Sequence, residues 1–145
     1  MLATIFYLST IIIIIYEINW IVRPIEMTKK VQEFFKISDE NKGKKWDESS
    51  SEYKTQLKNN IPRLYVLFWF IIGLFSFQWF GFLAVLLFNL LIIGPISKLI
   101  KFSFAYTILH WFNSFIGLAF SIFTIINHFH LRIDLFQYFN SFLAK

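Results

Sequence analysis

A long apolar stretch, from Leu64 to about Ser97, contains no charged residue. A helix needs about 20 apolar residues to cross a hydrocarbon core of roughly 30 Å, so this stretch is too long for one crossing. The sequence Gln78-Trp79-Phe80-Gly81 interrupts it near the middle, which predicts a tight turn with Trp79 at the membrane surface. The stretch therefore predicts a helical hairpin.

Two further apolar segments flank this hairpin. Helices satisfy all their backbone hydrogen bonds within one segment, so the predicted fold class is an all-α integral membrane protein. Residues 1–145 would form a single membrane domain with four transmembrane helices, at about 2–22, 64–79, 82–98 and 102–127. The alternative is a re-entrant hairpin over the second and third segments, which would need protein around it.

The composition agrees with a chain solvated by lipid. Hydrophobic residues make up 57% and charged residues 16% of its 145 positions, and a soluble domain of this length cannot bury so much apolar surface. Cysteine is absent, which excludes disulfides and cysteine-ligated metals. The sequence also lacks a phosphate-binding loop, a nucleophile elbow, a zinc-protease motif and paired catalytic carboxylates. We therefore expect no catalytic residue, and an enzyme is the less favoured class.

The distribution of charge predicts the orientation in the membrane. Ten of the 14 Lys and Arg residues lie between Arg23 and Arg63, together with seven of the nine acids. This mixture is typical of a solvated loop at an anionic membrane surface, and we expect no nucleic-acid partner. Four spans place this loop, 24–63, on the same side as Lys98 and Lys101. By the positive-inside rule that side is the cytoplasm, or the matrix of an organelle, with both termini on the outer side.

Two segments outside the spans have an amphipathic pattern. Met27, Val31, Phe34 and Phe35 share one face, which predicts a short interfacial helix in the basic loop. The tail, 129–145, keeps a helical periodicity with polar and aromatic residues on opposite faces. It is predicted to be an amphipathic helix on the membrane or a continuation of the fourth span.

The fourth span has a regular pattern of small and polar residues, spaced 4, 3, 4, 3, 4, 3, 4. We call this set the seam: Ser103, Thr107, His110, Ser114, Gly117, Ser121, Thr124 and His128. Such a pattern on an apolar helix predicts a face that packs against another helix, because small residues let two backbones approach. The alternative is the polar lining of a substrate or proton path, which Tyr106 and Asn113 would widen beside His110.

Few polar residues lie deep in the predicted spans, and each is a candidate for function. A possible pathway would comprise Glu17, Asn89, His110 and Asn113. Glu17 is the only acid in a span, and its position near the end of that span favours a side chain that extends to the interface over a role in the pathway. His110 could hold a structural hydrogen bond, relay a proton or bind haem.

The sequence predicts no metal and no cofactor. A haem bound by two histidines would need a second histidine on a facing helix, whereas His128 and His130 lie at the far end of the segment that contains His110. His128 and His130 alone, without a nearby cluster of acids or cysteines, are a weak metal signal.

The favoured function is a small non-catalytic subunit that docks through the seam into a larger complex of integral membrane proteins. Its soluble part is too small for an active site of its own. A hetero-complex is favoured over a homo-oligomer. The alternative function is a small oligomeric transporter or channel, in which the fourth helix lines a polar path around His110. The bacterial cytoplasmic membrane or an organellar inner membrane is the expected location.

Overall fold

A computed structural model describes residues 2–59 and 61–144, apart from the side chains of residues 2–3 and 61–64. The described chain is helical and contains no strand. Its α-helices are α1 (Leu2–Val22), α2 (Pro24–Glu40), α3 (Ser51–Asn59), α4 (Ile61–Leu74), α5 (Trp79–Phe88), α6 (Gly94–Leu99), α7 (Phe104–Ile126) and α8 (Leu135–Leu143). A short 3₁₀ turn covers Trp46–Glu48, and π turns cover Asn89–Ile93 and Asn127–Leu131.

In the described ranges, three helices are long and apolar enough to cross a membrane: Thr4–Val22, Trp79–Leu99 and Phe104–Leu131. The predicted all-helical membrane class is confirmed at this level, but the four-span count is not. The predicted span 64–79 corresponds to α4, which has 14 residues and is about 21 Å long at ~1.5 Å per residue. It ends early because Ser76 stabilises a turn, donating to Gly73 O at 2.6 Å and accepting from Gln78 N at 3.1 Å.

The long helices form an antiparallel bundle in which α1 lies between α7 and α4. Near one end of α1 the ring of Phe6 lies 6.2 Å from that of His128, and near the other end Trp20 stacks on His110 at 5.4 Å. The Trp69 indole of α4 donates to the Thr10 hydroxyl of α1 at 2.9 Å. These pairs fix the register of α1 against both neighbours.

The bundle has two apolar clusters, one toward each end. Phe6, Ile13, Trp69 and Phe82 form the opposite cluster, so named because it lies away from the basic loop. The Phe82 ring occupies the space where Gly73 lacks a side chain. Trp20, Val31 and Tyr106 form the basic-end cluster, beside Arg23 and the Lys98–Lys101 turn. We call the space between the two clusters the interior of the bundle.

Helix α2 corresponds to the predicted interfacial helix and packs against the bundle. Val31 belongs to the basic-end cluster, and the hydroxyls of Thr28 and Thr107 lie 3.0 Å apart in the interior. On its outer side Lys30 Nζ lies 2.7 Å from Glu26 Oε1. The hydrogen bond and the positive charge of Lys30 hold the pKa of Glu26 below its usual range, so this carboxyl stays charged in mild acid.

The tail is a separate helix and does not continue α7. Arg132 has a left-handed backbone, with φ of 50°, and Asp134 starts α8 by accepting from Phe136 N and Gln137 N. Asn127, which is fully buried, fixes this corner: its Oδ1 accepts from Ile133 N at 2.7 Å, and its Nδ2 donates to Ile133 O and to Gln78 Oε1. The α8 helix then packs on α5.

Gly94 and Pro95 lie within the continuous helical segment Trp79–Leu99. The turn that precedes them is a π turn, in which the Gly94 N–H bonds to Asn89 O, five residues earlier. A Cβ on Gly94 would lie 3.2 Å from that carbonyl oxygen, so glycine suits this position. Pro95 is tolerated in the first turn of α6, because an N–H at that position would have no partner within the helix.

Candidate functional site: a polar cavity between α1 and α7

The seam lies largely on the inner side of α7. Thr107, Ser114, Ser121 and Thr124 are buried, and His110, Gly117 and His128 are half-buried. Ser103 is exposed and serves a different purpose, because it is the N-cap of α7 and accepts from Tyr106 N at 3.4 Å. Ser103 therefore lies at the exposed start of α7, outside the buried part of the seam.

Other parts of the same chain occupy this inner side. Thr107 contacts Thr28 of α2, and Thr124 accepts from Gln78 Nε2 at 3.0 Å through its backbone oxygen. His128 lies among the rings of Phe6, Tyr7 and Phe77. In the described chain, α1, α2 and the turn before α5 therefore cover this part of the seam, and docking of another subunit through the seam stays a prediction.

A cavity of about 370 Å³ lies between α1, α2, α4, α7 and the helix that runs from α5 to α6. It extends from Phe120 and Trp69, next to the opposite cluster, to Trp20 and Tyr106 of the basic-end cluster. All four predicted pathway residues line it: Glu17, Asn89, His110 and Asn113. The structure thus brings together side chains that the sequence distributes over three apolar segments.

Glu17 points into the bundle against α7. Its carboxyl hydrogen-bonds with the Ser114 side chain. A Cβ built on Gly117 would lie 2.6 Å from Glu17 Oε1, closer than real carbon atoms approach an oxygen. Glycine at this position therefore makes room for the carboxyl, and Glu17 does not extend to the interface as its position near the end of the span allowed.

His110 is held from three sides. Its ring lies 5.4 Å from that of Trp20 and 4.2 Å from that of Tyr106, and its Nε2 lies 3.0 Å from Ser97 Oγ. Because the Ser97 hydroxyl donates to Ile93 O at 2.7 Å, it accepts from His110, which assigns the proton to Nε2. At the wall of the cavity, the His110 Nε2–H therefore donates a hydrogen bond to the Ser97 hydroxyl of α6.

Two asparagines connect α7 to the π turn between α5 and α6. Asn89 Nδ2 donates to Val85 O at 2.9 Å, so its Oδ1 is free to accept. It accepts from Asn113 Nδ2, also at 2.9 Å. This pairing turns Asn113 Oδ1 away from Asn89, and that buried oxygen has no hydrogen-bond partner among the described residues. An acceptor without a donor is costly in an apolar interior, at about 1–3 kcal/mol.

The cavity wall has one acidic group and no permanently positive group among the described residues. Among the described residues that line the cavity there is one carboxyl, Glu17, and neither Lys nor Arg. The other ionisable groups facing the cavity are His110, Tyr16 and Tyr106. An ionised carboxylate in such surroundings needs a partner charge or a proton. The cavity can therefore exchange a proton, or hold a cation, at Glu17.

Two residues of the site were missed in the sequence. Trp20 lies one helical turn after Glu17, and that spacing on the same face of α1 could have indicated its place. The sequence did not indicate Ser97, because the π turn at Asn89–Ile93 changes which face of the helix this residue occupies.

The described residues contain no group of three His, Cys, Asp or Glu side chains that could hold a metal ion. His128 is half-buried and His130 is exposed. No family model, no curated protein and no solved structure matches this chain. The function is therefore inferred from the cavity itself.

Proposed function

We propose that this chain is a small membrane transport protein whose charged centre is Glu17. In this proposal α7 lines the path, and protons exchange at the Glu17 carboxyl inside the membrane. The single observation that carries the proposal is the position of that carboxyl, which lies against Gly117 and Ser114 in a cavity bounded by several helices.

The depth of Glu17 supports this function. It precedes Arg23 by six residues, or about 9 Å along α1 at ~1.5 Å per residue. An ionisable group at such a depth is costly and usually marks an ion or proton path in a membrane protein. A carboxyl that only anchored α1 at the interface would extend toward water, whereas this one is directed at another helix.

The two ends of the cavity differ in their access to the surface. A transporter needs such a difference, because its site opens to one side of the membrane at a time. Toward the basic end, Ser97 connects His110 with the half-exposed surface of α6. Toward the other end, Phe120 contacts Trp69 and Phe82 of the opposite cluster, with ring centroids 5.9 and 5.1 Å away. Passage across the membrane would require these rings to move. We propose that the described conformation communicates with the basic side.

The topology belongs to the same proposal. The short helix α4 would complete four crossings, with the basic loop in the cytoplasm or matrix and both termini on the outer side. The contacts of α4 with α1 and α5 support this, as does the position of both basic turns at one end of the bundle. The membrane would be a bacterial cytoplasmic membrane or an organellar inner membrane.

Proton movement into liposomes tests the proposal. Purified protein would be reconstituted around a pH-sensitive dye, and a pH gradient would be imposed with a potassium ionophore present. We expect Glu17→Gln to slow dye equilibration by at least about tenfold, since the variant retains shape but cannot ionise. The matched control is Glu33→Gln, an exposed glutamate of α2 outside this cavity. Equal rates for Glu17→Gln and the native protein would refute the proposal.

The second candidate function is an accessory subunit of an integral membrane complex. The observation that favours it is the exposed apolar surface, with Phe75, Leu99 and Phe104 at 86%, 85% and 74% exposure. Such a surface suits protein as well as lipid. With the seam covered, docking would have to use this outer surface. Native mass measurement in mild detergent distinguishes the two functions, because a hetero-complex of defined stoichiometry favours the subunit.

A further inference from the structure

The cavity at Glu17 is much larger than a bare ion needs. Its volume of about 370 Å³ corresponds to roughly twelve water molecules at ~30 Å³ each. A site for a bare metal ion instead surrounds it closely with oxygen ligands. The space at Glu17 therefore suits an occupant with a body of several heavy atoms.

Aromatic rings form a large part of the cavity wall, with seven of the 18 described lining residues. Rings reach it from each of the surrounding elements except the α5–α6 helix: Tyr16, Trp20, Phe35, Trp69, Phe70, Tyr106 and Phe120. Aromatic faces attract organic cations through their negative quadrupole, and this attraction strengthens where water is excluded. They also contact the hydrocarbon part of such a cation. A strongly hydrated inorganic ion gains little from such walls.

The polar groups of the cavity can accept hydrogen bonds from a positively charged donor. Glu17 supplies a carboxyl, and neither Lys nor Arg of the described lining neutralises it. The ionisable groups that face it are His110, Tyr16 and Tyr106, while Val31 and Phe35 of α2 bring no charge. Asn113, on the same wall, has a buried oxygen without a donor among the described residues. A protonated amine offers both the charge and the N–H groups.

We infer that this cavity binds a small organic ammonium ion, with its N–H groups directed at Glu17 and its hydrocarbon body among the aromatic rings. The inference rests on the proposed function and specifies its substrate class. The same carboxyl holds either a proton or the ammonium group, so binding of one displaces the other. That competition would couple the movement of the organic cation to a proton gradient.

Calorimetry on the full chain in mild detergent tests the inference. The probes are benzylammonium, its neutral analogue benzyl alcohol, and sodium ion. We expect benzylammonium to bind at least about tenfold more tightly than benzyl alcohol, since only the former is charged. Glu17→Gln should lower the benzylammonium affinity by at least about tenfold, while Glu33→Gln should leave it unchanged.

A second measurement uses only the native protein, so it tests the inference even if the Glu17→Gln variant fails to fold. Titration of the native protein in two buffers of different ionisation enthalpy reports the protons released as benzylammonium binds. We expect release of up to one proton per ligand below the pH at which Glu17 is fully ionised, because the ammonium displaces the proton. Binding without proton release, or release that the neutral analogue also causes, would contradict the competition.

The affinities of the two comparison probes also test the inference. Equal affinity for benzyl alcohol would show an apolar cavity without recognition of charge, and tighter binding of sodium would show an inorganic ion site. Either result overturns the inference. If no probe binds while proton flux in liposomes still depends on Glu17, the inference fails and the proposed function stands. If benzylammonium binds but no flux is found, the binding site stands without transport.

Discussion

The Glu17 carboxyl occupies the space that a side chain on residue 117 would need, since a Cβ there would lie 2.6 Å from Glu17 Oε1. Gly117→Ala should therefore displace the carboxyl. Because this carboxyl is the end of a flexible side chain beside the cavity, the free energy of unfolding should fall by less than about 1 kcal/mol, below the usual cost of overpacking. Thermal unfolding in detergent would measure the loss.

A double variant controls for the intrinsic effect of alanine in a helix. Glu17→Ala with Gly117→Ala removes the atoms that clash, so the alanine at 117 should cost much less there than in the native background. Phe115→Leu, on the exposed side of α7, should have little effect. Equal destabilisation by Gly117→Ala in both backgrounds would mean that the two residues do not meet.

The hydrogen bond between His110 and Ser97 gives a second prediction. Removing either partner should cost about 0.5–1.5 kcal/mol, and the double variant should cost less than the sum because the bond is lost only once. We would measure unfolding of His110→Ala, Ser97→Ala and the double variant. His110→Gln retains a donor and should be milder than His110→Ala. Strict additivity would exclude this contact.

Asn127 should be the most sensitive of the polar residues at the corner between α7 and α8. Asn127→Ala removes three hydrogen bonds. It leaves the buried Gln78 Oε1 without a donor, at a cost of about 1–3 kcal/mol, and frees two part-buried backbone groups of Ile133. Asn140→Ala, at an exposed position of α8, is the control. Limited proteolysis should cut the variant between α7 and α8 faster than the native chain. If cleavage at this corner stays unchanged, Asn127 does not hold it.

Single cysteines test the proposed topology, because the native chain has none. Ser51→Cys and Ser141→Cys are both exposed, and the first spares Ser50, whose hydroxyl accepts from Tyr53 N. An impermeant thiol reagent added outside intact cells or mitoplasts should label position 141 and not position 51. Labelling at position 51 alone would reverse the orientation, and labelling at both positions would indicate an even number of crossings between them.

Apolar length and charge predicted much of the fold. The helical class and three of the membrane-spanning helices follow from segment hydropathy, and the start of α2 at Pro24 follows from the backbone limits of proline. The shortness of α4 did not follow, because it depends on the Ser76 hydroxyl that tightens the next turn. A hydropathy window cannot detect one such hydrogen bond.

The sequence identified residues of the site but not their positions relative to each other. Polar residues are rare in the apolar segments, which singled out Glu17, Asn89, His110 and Asn113, and these four line one cavity. The sequence could not show that the seam contacts helices of its own chain, because spacing along α7 defines a face but not what covers it. The spacing alone also could not show that Ser103 caps α7, because a serine at the cap can continue the spacing of the packed face.

The π turn at Asn89–Ile93 has a consequence for the length of this helix. Residues eight apart in a regular α-helix lie about 80° off the same line, since each residue turns by about 100°. The wider turn absorbs about one residue, so Asn89 and Ser97 both face α7, toward Asn113 and His110. A deletion of one residue between Asn89 and Ile93 would leave the hydrophobicity almost unchanged and would convert this turn into regular α-helix. Asn89 and Ser97 would then be seven residues apart, about 20° from the same line, so Ser97 would still face His110.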